Sequence, residues 1–424
     1  MRKSLFALAA AFSFFVLSLF IPCESSAVPA FSRQTGMACN SCHFQHFPTL
    51  NSFGRAFKSG GYTMTGGQSM IEGDFLSLPS VLNASFVTKV RYQKRDGDSN
   101  HPDATAEDQE LNKGQLQFPD EAALLLGGRV GEHAGFLLEA SLKDGDSRFT
   151  SFKIPFVYVT EAVNLNVIPF TTDGFGPAYG LELLNTGALR LQRPIEHRTE
   201  ISAQQYIGAA TAATGITLAA AHQLWFANYT LWSNEHSPEI SSGPYLHYGR
   251  IAFTPAFEGW DLGIGAQIWA GKEANLSADP DDETAVIVTR KEADAWAVDA
   301  QAQGTVGAFP LGVYLTYARA AKSNGLPGEG GNIFNENQDK ARKAWTALAE
   351  VGVVPGKLTA AAAYRHGRSG STGDDEDNAT TLGLVYTPLQ NIQFQLDSTW
   401  YSGSGGPGPE SGDNLTTLML FAAF

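Results

Sequence analysis

Leu82-Asn83-Ala84-Ser85-Phe86-Val87-Thr88-Lys89-Val90-Arg91-Tyr92-Gln93 alternates residue by residue. Leu82, Ala84, Phe86, Thr88, Val90 and Tyr92 make a mostly apolar row. Asn83, Ser85, Val87, Lys89, Arg91 and Gln93 make a mostly polar one. A period of two is the pattern of a β-strand with one apolar and one polar face. It recurs at Trp260–Ile268, Trp296–Gln303 and Gln393–Trp400, where Asp261, Gln267, Asp299, Gln301, Gln395 and Asp397 fall on the polar rows.

A soluble antiparallel sandwich also alternates. Three features favour a transmembrane barrel instead. Short turns are expected at Gly131–Ala134, Val163–Asn166, Ala212–Gly215, Pro255–Gly259, Phe309–Gly312, Pro355–Lys357 and Pro388–Asn391. Long polar loops, such as 273–289, 323–341 and 402–413, fall between them. Short turns at one rim and long loops at the other belong to outer-membrane barrels. Trp260, Tyr386, Trp296 and Phe253 lie near strand ends, where aromatic side chains suit a membrane interface. The chain also closes on an apolar run ending at Phe424, which resembles the recognition end of such barrels.

Seven short turns join fourteen strands. One strand before them (about 80–95) and one after (about 413–424) bring the expected number to sixteen. The fold class is thus all-β: an antiparallel transmembrane β-barrel of about 16 strands, with a lumen wide enough for water. Lys89, Arg91, Glu139, Asp261, Asp299, Glu350 and Asp397 are expected to face that lumen. On the lipid face the basic ones would cost on the order of 2–4 kcal/mol each at the midplane.

The residues before the barrel carry different chemistry. Arg2 and Lys3 precede an apolar run, Leu5–Ile21, and Ser25-Ser26-Ala27 supplies small residues, so 1–27 reads as a cleaved secretory signal. Pro22 before Cys23 argues against a lipoprotein signal. Removing Arg2, Lys3 and Glu24 takes the formal charge from −14 to −15, which excludes nucleic-acid binding through a basic surface and favours cationic partners.

Cys39-Asn40-Ser41-Cys42-His43 then supplies two thiols and an imidazole. At this spacing the thiols match the two vinyl groups on one edge of a haem, and the next residue reaches the iron. A zinc site needs four ligands, and there is no second cysteine pair. One covalently bound haem c on Cys39 and Cys42, with His43 as proximal iron ligand, is the expectation. Residues 28–78 form this monohaem segment and 79–424 the barrel.

For the distal ligand, His46 is too close to His43 to reach the opposite face, and it is expected as a polar contact beside the haem. Met37 is also too close. Met64 or Met70 is preferred. His101, His133 or a five-coordinate iron are the alternatives. About 45 residues are too few for a self-sufficient core, so the barrel must supply part of the haem's surroundings. Two acidic runs, Asp279-Pro280-Asp281-Asp282-Glu283 and Asp374-Asp375-Glu376-Asp377, read as a cation funnel or, preferably, as solvated loops holding divalent ions between lipopolysaccharide headgroups.

The stretch from Pro29 through Cys39-Asn40-Ser41-Cys42-His43-Phe44-Gln45-His46-Phe47-Pro48, extended by Leu50-Asn51-Ser52-Phe53-Gly54-Arg55-Ala56-Phe57-Lys58, resembles the fused cytochrome–porin family of iron-oxidising bacteria. The resemblance implies an outer-membrane oxidase of extracellular Fe(II) that passes single electrons to periplasmic c-type cytochromes. Its N-terminus would lie on the periplasmic side or within the lumen. Cys39, Cys42 and His43 carry over; no barrel residue does. A conduit that reduces extracellular acceptors, or a porin using the haem as plug or sensor, are the alternatives.

Overall fold

The computed structural model describes residues 29–74, 76–96, 111–143, 149–237, 239–240, 245–278, 286–323, 331–335, 340–404 and 412–424. The expected signal 1–27, His101 and the acidic run 279–283 lie outside them.

Alternation produces strands, and the strands close. After a small hairpin, β1 (Met70–Gly73) and β2 (Leu76–Pro79), the barrel runs from β3 (Ala84–Asp96) through β4 (Gln115–Gly131), β5 (Ala134–Ser141), β6 (Phe149–Lys153), β7 (Phe156–Val159) and β8 (Asn164–Thr172). It continues with β9 (Ala213–His222), β10 (Trp225–Ser233), β11 (Leu246–Phe253), β12 (Ala256–Phe257), β13 (Trp260–Ala278), β14 (Val286–Val306) and β15 (Phe309–Ala320). The last five are β16 (Arg342–Val354), β17 (Leu358–Arg368), β18 (Glu376–Leu389), β19 (Ile392–Ser402) and β20 (Asn414–Ala423). β6 and β7 both pair with β8, and β11 and β12 both pair with β13, so each couple is one strand interrupted. Pro155 and Pro255 sit at the interruptions, where their missing N–H breaks the ladder. The result is a closed antiparallel barrel of 16 strands. The final strand closes it: β20 pairs with β3, and Phe424 and Phe86 exchange backbone hydrogen bonds of 3.0 and 2.9 Å.

The apolar rows face outward. Ile264 and Ile268 are 61% and 56% exposed, whereas Gln267 between them is 3% exposed. An exterior of this kind needs hydrocarbon around it, and a closed barrel leaves no unpaired edge in it. Two aromatic groups bracket the apolar band. Trp296 packs on Tyr317 (5.2 Å) and Trp345 on Tyr364 (5.3 Å) toward the long loops. Phe253, Phe309 and Phe394 stand toward the short turns.

Three expected connections differ. Phe309–Gly312 lies within β15, and the turn before it is Gly307-Ala308. Ala212–Gly215 is not a turn: Ala213 opens β9, and the turn is Gln223-Leu224 between β9 and β10. The latter lacks the Gly and Pro that mark most of the other short turns, so composition hid it. The expected loop 273–289 is largely strand, since β13 runs to Ala278 and β14 starts at Val286.

Residues 173–212 were not distinguished by their sequence. They leave the long-loop rim, fold into the lumen and carry two short helices, Arg198–Ile201 and Ala203–Tyr206. Tyr179, Ala203 and Ile207 of this inserted segment pack in one buried cluster with Tyr248, Trp269 and Ala318 of the wall, and Leu184 packs in another with Phe226 and Ala252.

Candidate functional site

The N-terminal segment is compact and local in its rules. α1 (Ala30–Thr35) ends on Gly36 in the left-handed region, φ 72°. A 3-10 turn spans Cys39–Ser41. His43 pairs with Leu50 in a short antiparallel bridge, and α2 (Ser52–Ser59) follows. Asn51 caps α2 by accepting from Gly54 N at 2.9 Å, and its Nδ2 donates to the Ser41 carbonyl at 3.0 Å. Gly54 is needed here because a Cβ would lie 2.2 Å from the Cys42 carbonyl oxygen. The first turn of α2 is thereby pressed onto the cysteine turn.

Cys39 and Cys42 are free thiols, and burial pushes both above the ordinary thiol value. His43 Nδ1 lies 3.1 Å from the Thr49 carbonyl oxygen. A carbonyl only accepts, so Nδ1 carries the proton and Nε2 presents its lone pair. Burial also pushes His43 down to about 4, which keeps the ring neutral near pH 7. Two unpaired thiols followed by a neutral imidazole whose other nitrogen is anchored are the donors a c-type haem requires. The residues present fit that group.

The segment is seated in the barrel at its short-turn end. Cys39 N donates to Gln390 Oε1 (2.7 Å), Gln393 Nε2 to the Phe47 carbonyl (3.1 Å), and Arg55 pairs with Asp261 at 2.6 Å. His46 Nε2 meets Glu350 Oε2 at 3.0 Å. Burial disfavours charge on His46, but the hydrogen bond and charge of Glu350 outweigh it and hold the ring above its ordinary value. Phe47, still 38% exposed, stacks on Phe421 of β20 at 4.9 Å and meets the His43 ring edge-on at 5.2 Å.

The inserted segment meets it from the other side. Asn185 Oδ1 accepts from Leu50 N at 2.7 Å, and Asn185 Nδ2 donates to the Leu50 carbonyl at 2.9 Å. Lys58 Nζ donates to Gln192 Oε1 at 2.5 Å. The segment is pinned to the wall by Arg250, which binds Asp299 through Nη1 (2.6 Å) and Glu182 through Nε (3.1 Å), all three fully buried.

The seven charged residues expected in the lumen all face it. Besides the four pairs above, Asp397 accepts from Glu196 N (3.1 Å), Lys89 pairs with Glu121 (2.7 Å) and Arg91 with Asp120 (2.7 Å), while Glu139 lies beside Glu121 and Lys89. The Arg91 and Glu121 side chains stay partly exposed between β3–β5 and the inserted segment.

Met64 is 39% exposed, on a stretch whose backbone carbonyl accepts from Gln34 of α1, and Met70 opens the β1 hairpin. His133 stands exposed on the β4–β5 turn. The acidic run 374–377 is partly neutralised: Asp375 pairs with Arg368 (2.9 Å) and Asp377 with Arg365 (2.5 Å). Sequence reasoning missed Asn185, Glu182 and Arg250. Residues 173–212 carry no period or motif, and their partners lie far away in the chain.

No protein-family model matches this chain, and no curated protein matches it. Among solved structures, OmpT of Vibrio cholerae is similar at 10% identity and TM-score 0.47, over 84% of this chain and 100% of its own. The outer membrane channel DcaP of Acinetobacter baumannii is similar at 12% identity and TM-score 0.48, over 81% and 97%. The outer membrane protein opdK of Pseudomonas aeruginosa is similar at 13% identity and TM-score 0.41, over 80% and 98%.

Proposed function

We propose that this protein is an outer-membrane electron carrier that oxidises extracellular Fe(II) and hands single electrons to periplasmic c-type cytochromes. One observation supports it above all. The Cys39–His43 turn is seated inside a membrane barrel with its imidazole already neutral and anchored through Nδ1. Cys39 and Cys42 would hold the haem covalently and His43 would ligate its iron, with Met64 or Met70 opposite. The group supplies one-electron redox chemistry when bound.

The chain's own residues do the rest. The inserted segment and α2 exclude water from one side of the turn. The charged lumen beside β3–β5 leaves an aqueous approach for a cation. Short turns belong to the periplasmic rim in bacterial barrels, so Gln390 and the cysteine turn beside it would face a periplasmic partner. No acid–base residue is needed for transfer of one electron.

The test is stopped-flow mixing of purified, haem-loaded protein with Fe(II) at acidic and neutral pH. Rapid appearance of the reduced haem spectrum supports the proposal, and no reduction at either pH overturns it. A second reading, a porin plugged by its haem segment, is favoured by the seating of that segment in the mouth. Liposome swelling by the full chain without reduction by Fe(II) would select it.

A further inference from the structure

The loop from His43 to Leu50 does not hold itself. Thr49 is fully buried, and its carbonyl accepts from both Phe44 N (2.9 Å) and His43 Nδ1 (3.1 Å). The inner edge of this small ladder is satisfied by Asn51 N donating to the Cys42 carbonyl at 3.0 Å. Its outer edge, the N–H and C=O of Leu50, is satisfied by one side chain, the Asn185 amide, which pairs with both as a neighbouring strand would.

Asn185 is itself immobilised. It is 1% exposed. Its N–H donates to Gln301 Oε1 of β14 at 2.8 Å, and its carbonyl accepts from Arg193. The next residue, Thr186, donates to Asp299 at 2.7 Å, and Asp299 is bound by Arg250. A continuous set of hydrogen bonds thus runs from the barrel wall through Asn185 and Leu50 to the peptide whose oxygen orients the imidazole.

We infer that Asn185 is a positioning residue for the axial imidazole: by fixing Leu50 it fixes the Thr49 carbonyl that holds His43 Nδ1. This rests on the haem reading above. A carbonyl hydrogen bond at Nδ1 makes imidazole a stronger donor at Nε2 and favours the ferric state, so loosening it raises the reduction potential. The barrel, through its inserted segment, therefore sets part of the potential of a site 135 residues away in the chain.

The test compares full-length wild type with Asn185→Leu, which keeps the bulk and loses both hydrogen bonds, and Asn185→Ser, a smaller lesion that cannot span both groups. Asn228→Leu is the control, because Asn228 Nδ2 holds the same inserted segment through the Leu181 carbonyl at 2.6 Å without touching Leu50. Covalent haem content, midpoint potential and the ferric electron paramagnetic resonance spectrum are measured on each. Support is a raised potential with shifted or broadened ferric resonances in both Asn185 variants and neither change in Asn228→Leu. If Asn185→Leu does not assemble, Asn185→Ser carries the same comparison. A wild-type potential and spectrum in an assembled Asn185 variant, or equal shifts in Asn228→Leu, overturns the inference and leaves the haem reading standing. Wild type without covalent haem overturns both.

Discussion

His46 and Glu350, 304 residues apart in the chain, meet at 3.0 Å with both side chains buried, and the pair fastens the N-terminal segment to the wall of β16. His46 is held above its ordinary value of 6.5. Stabilisation from a raised histidine is complete below the unfolded value and disappears as pH rises through the folded one. Asp397 adds to the attraction, and the nearby His43 ring is neutral. Docking of residues 29–67 should therefore weaken as pH climbs above about 6.5, and Glu350→Gln should weaken it at low pH by about 3–5 kcal/mol. Limited proteolysis of the purified barrel across pH 5–9 (about the range over which histidine titrates) reads this out. Cleavage independent of pH in wild type would show that the pair does not govern docking.

Gly54→Ala should dislodge α2 from the cysteine turn, because the new methyl would stand 2.2 Å from the Cys42 carbonyl oxygen. Overpacking of this kind costs about 1–3 kcal/mol. The expected result is reduced covalent haem in a barrel that still folds, seen by haem staining beside the heat-modified gel shift. Normal staining would mean the turn tolerates the shift.

Arg250→Met removes the ion-pair partner of the buried Glu182 and Asp299, at a cost of about 3–5 kcal/mol. The inserted segment should come away from the β11–β14 wall and widen the lumen. Conductance in planar bilayers should rise relative to wild type; an unchanged conductance would place the restriction elsewhere.

Met64→Leu or Met70→Leu should lower the haem potential and alter the reduced absorption spectrum in whichever position supplies the distal thioether. Spectroelectrochemistry of both variants decides it, and two unchanged spectra would remove methionine from the iron.

Leu382→Arg should destabilise the barrel in lipid by about 2–4 kcal/mol, since Leu382 faces outward in the middle of β18. Urea titration in bilayers measures the difference, and no difference would put that position in water.

Strand pairing and its inward and outward faces could be read directly from the chain, because a side chain on a strand has only two directions and hydrocarbon tolerates one kind of residue. Asp261, Asp299 and Asp397 face the lumen for that reason. The Cys39–His43 motif on which the haem proposal rests is equally local, since haem attachment would need only five consecutive residues. The sixteen-strand total was reached although two turns were misplaced: Phe309–Gly312 lies within β15, and Gln223-Leu224 carries none of the usual turn residues.

The lumen's contents were a different matter. Residues 173–212 fold inward because Arg250, Asp299 and Glu182 find one another from three distant places, and no local pattern encodes such a meeting. The same holds for His46 with Glu350 and for Asn185 with Leu50. Local periodicity specifies the strands, and the Cys39–His43 turn is equally local. What braces that turn, and against which wall, depends on contacts that exist only after the barrel has closed and brought remote inward faces within hydrogen-bonding distance.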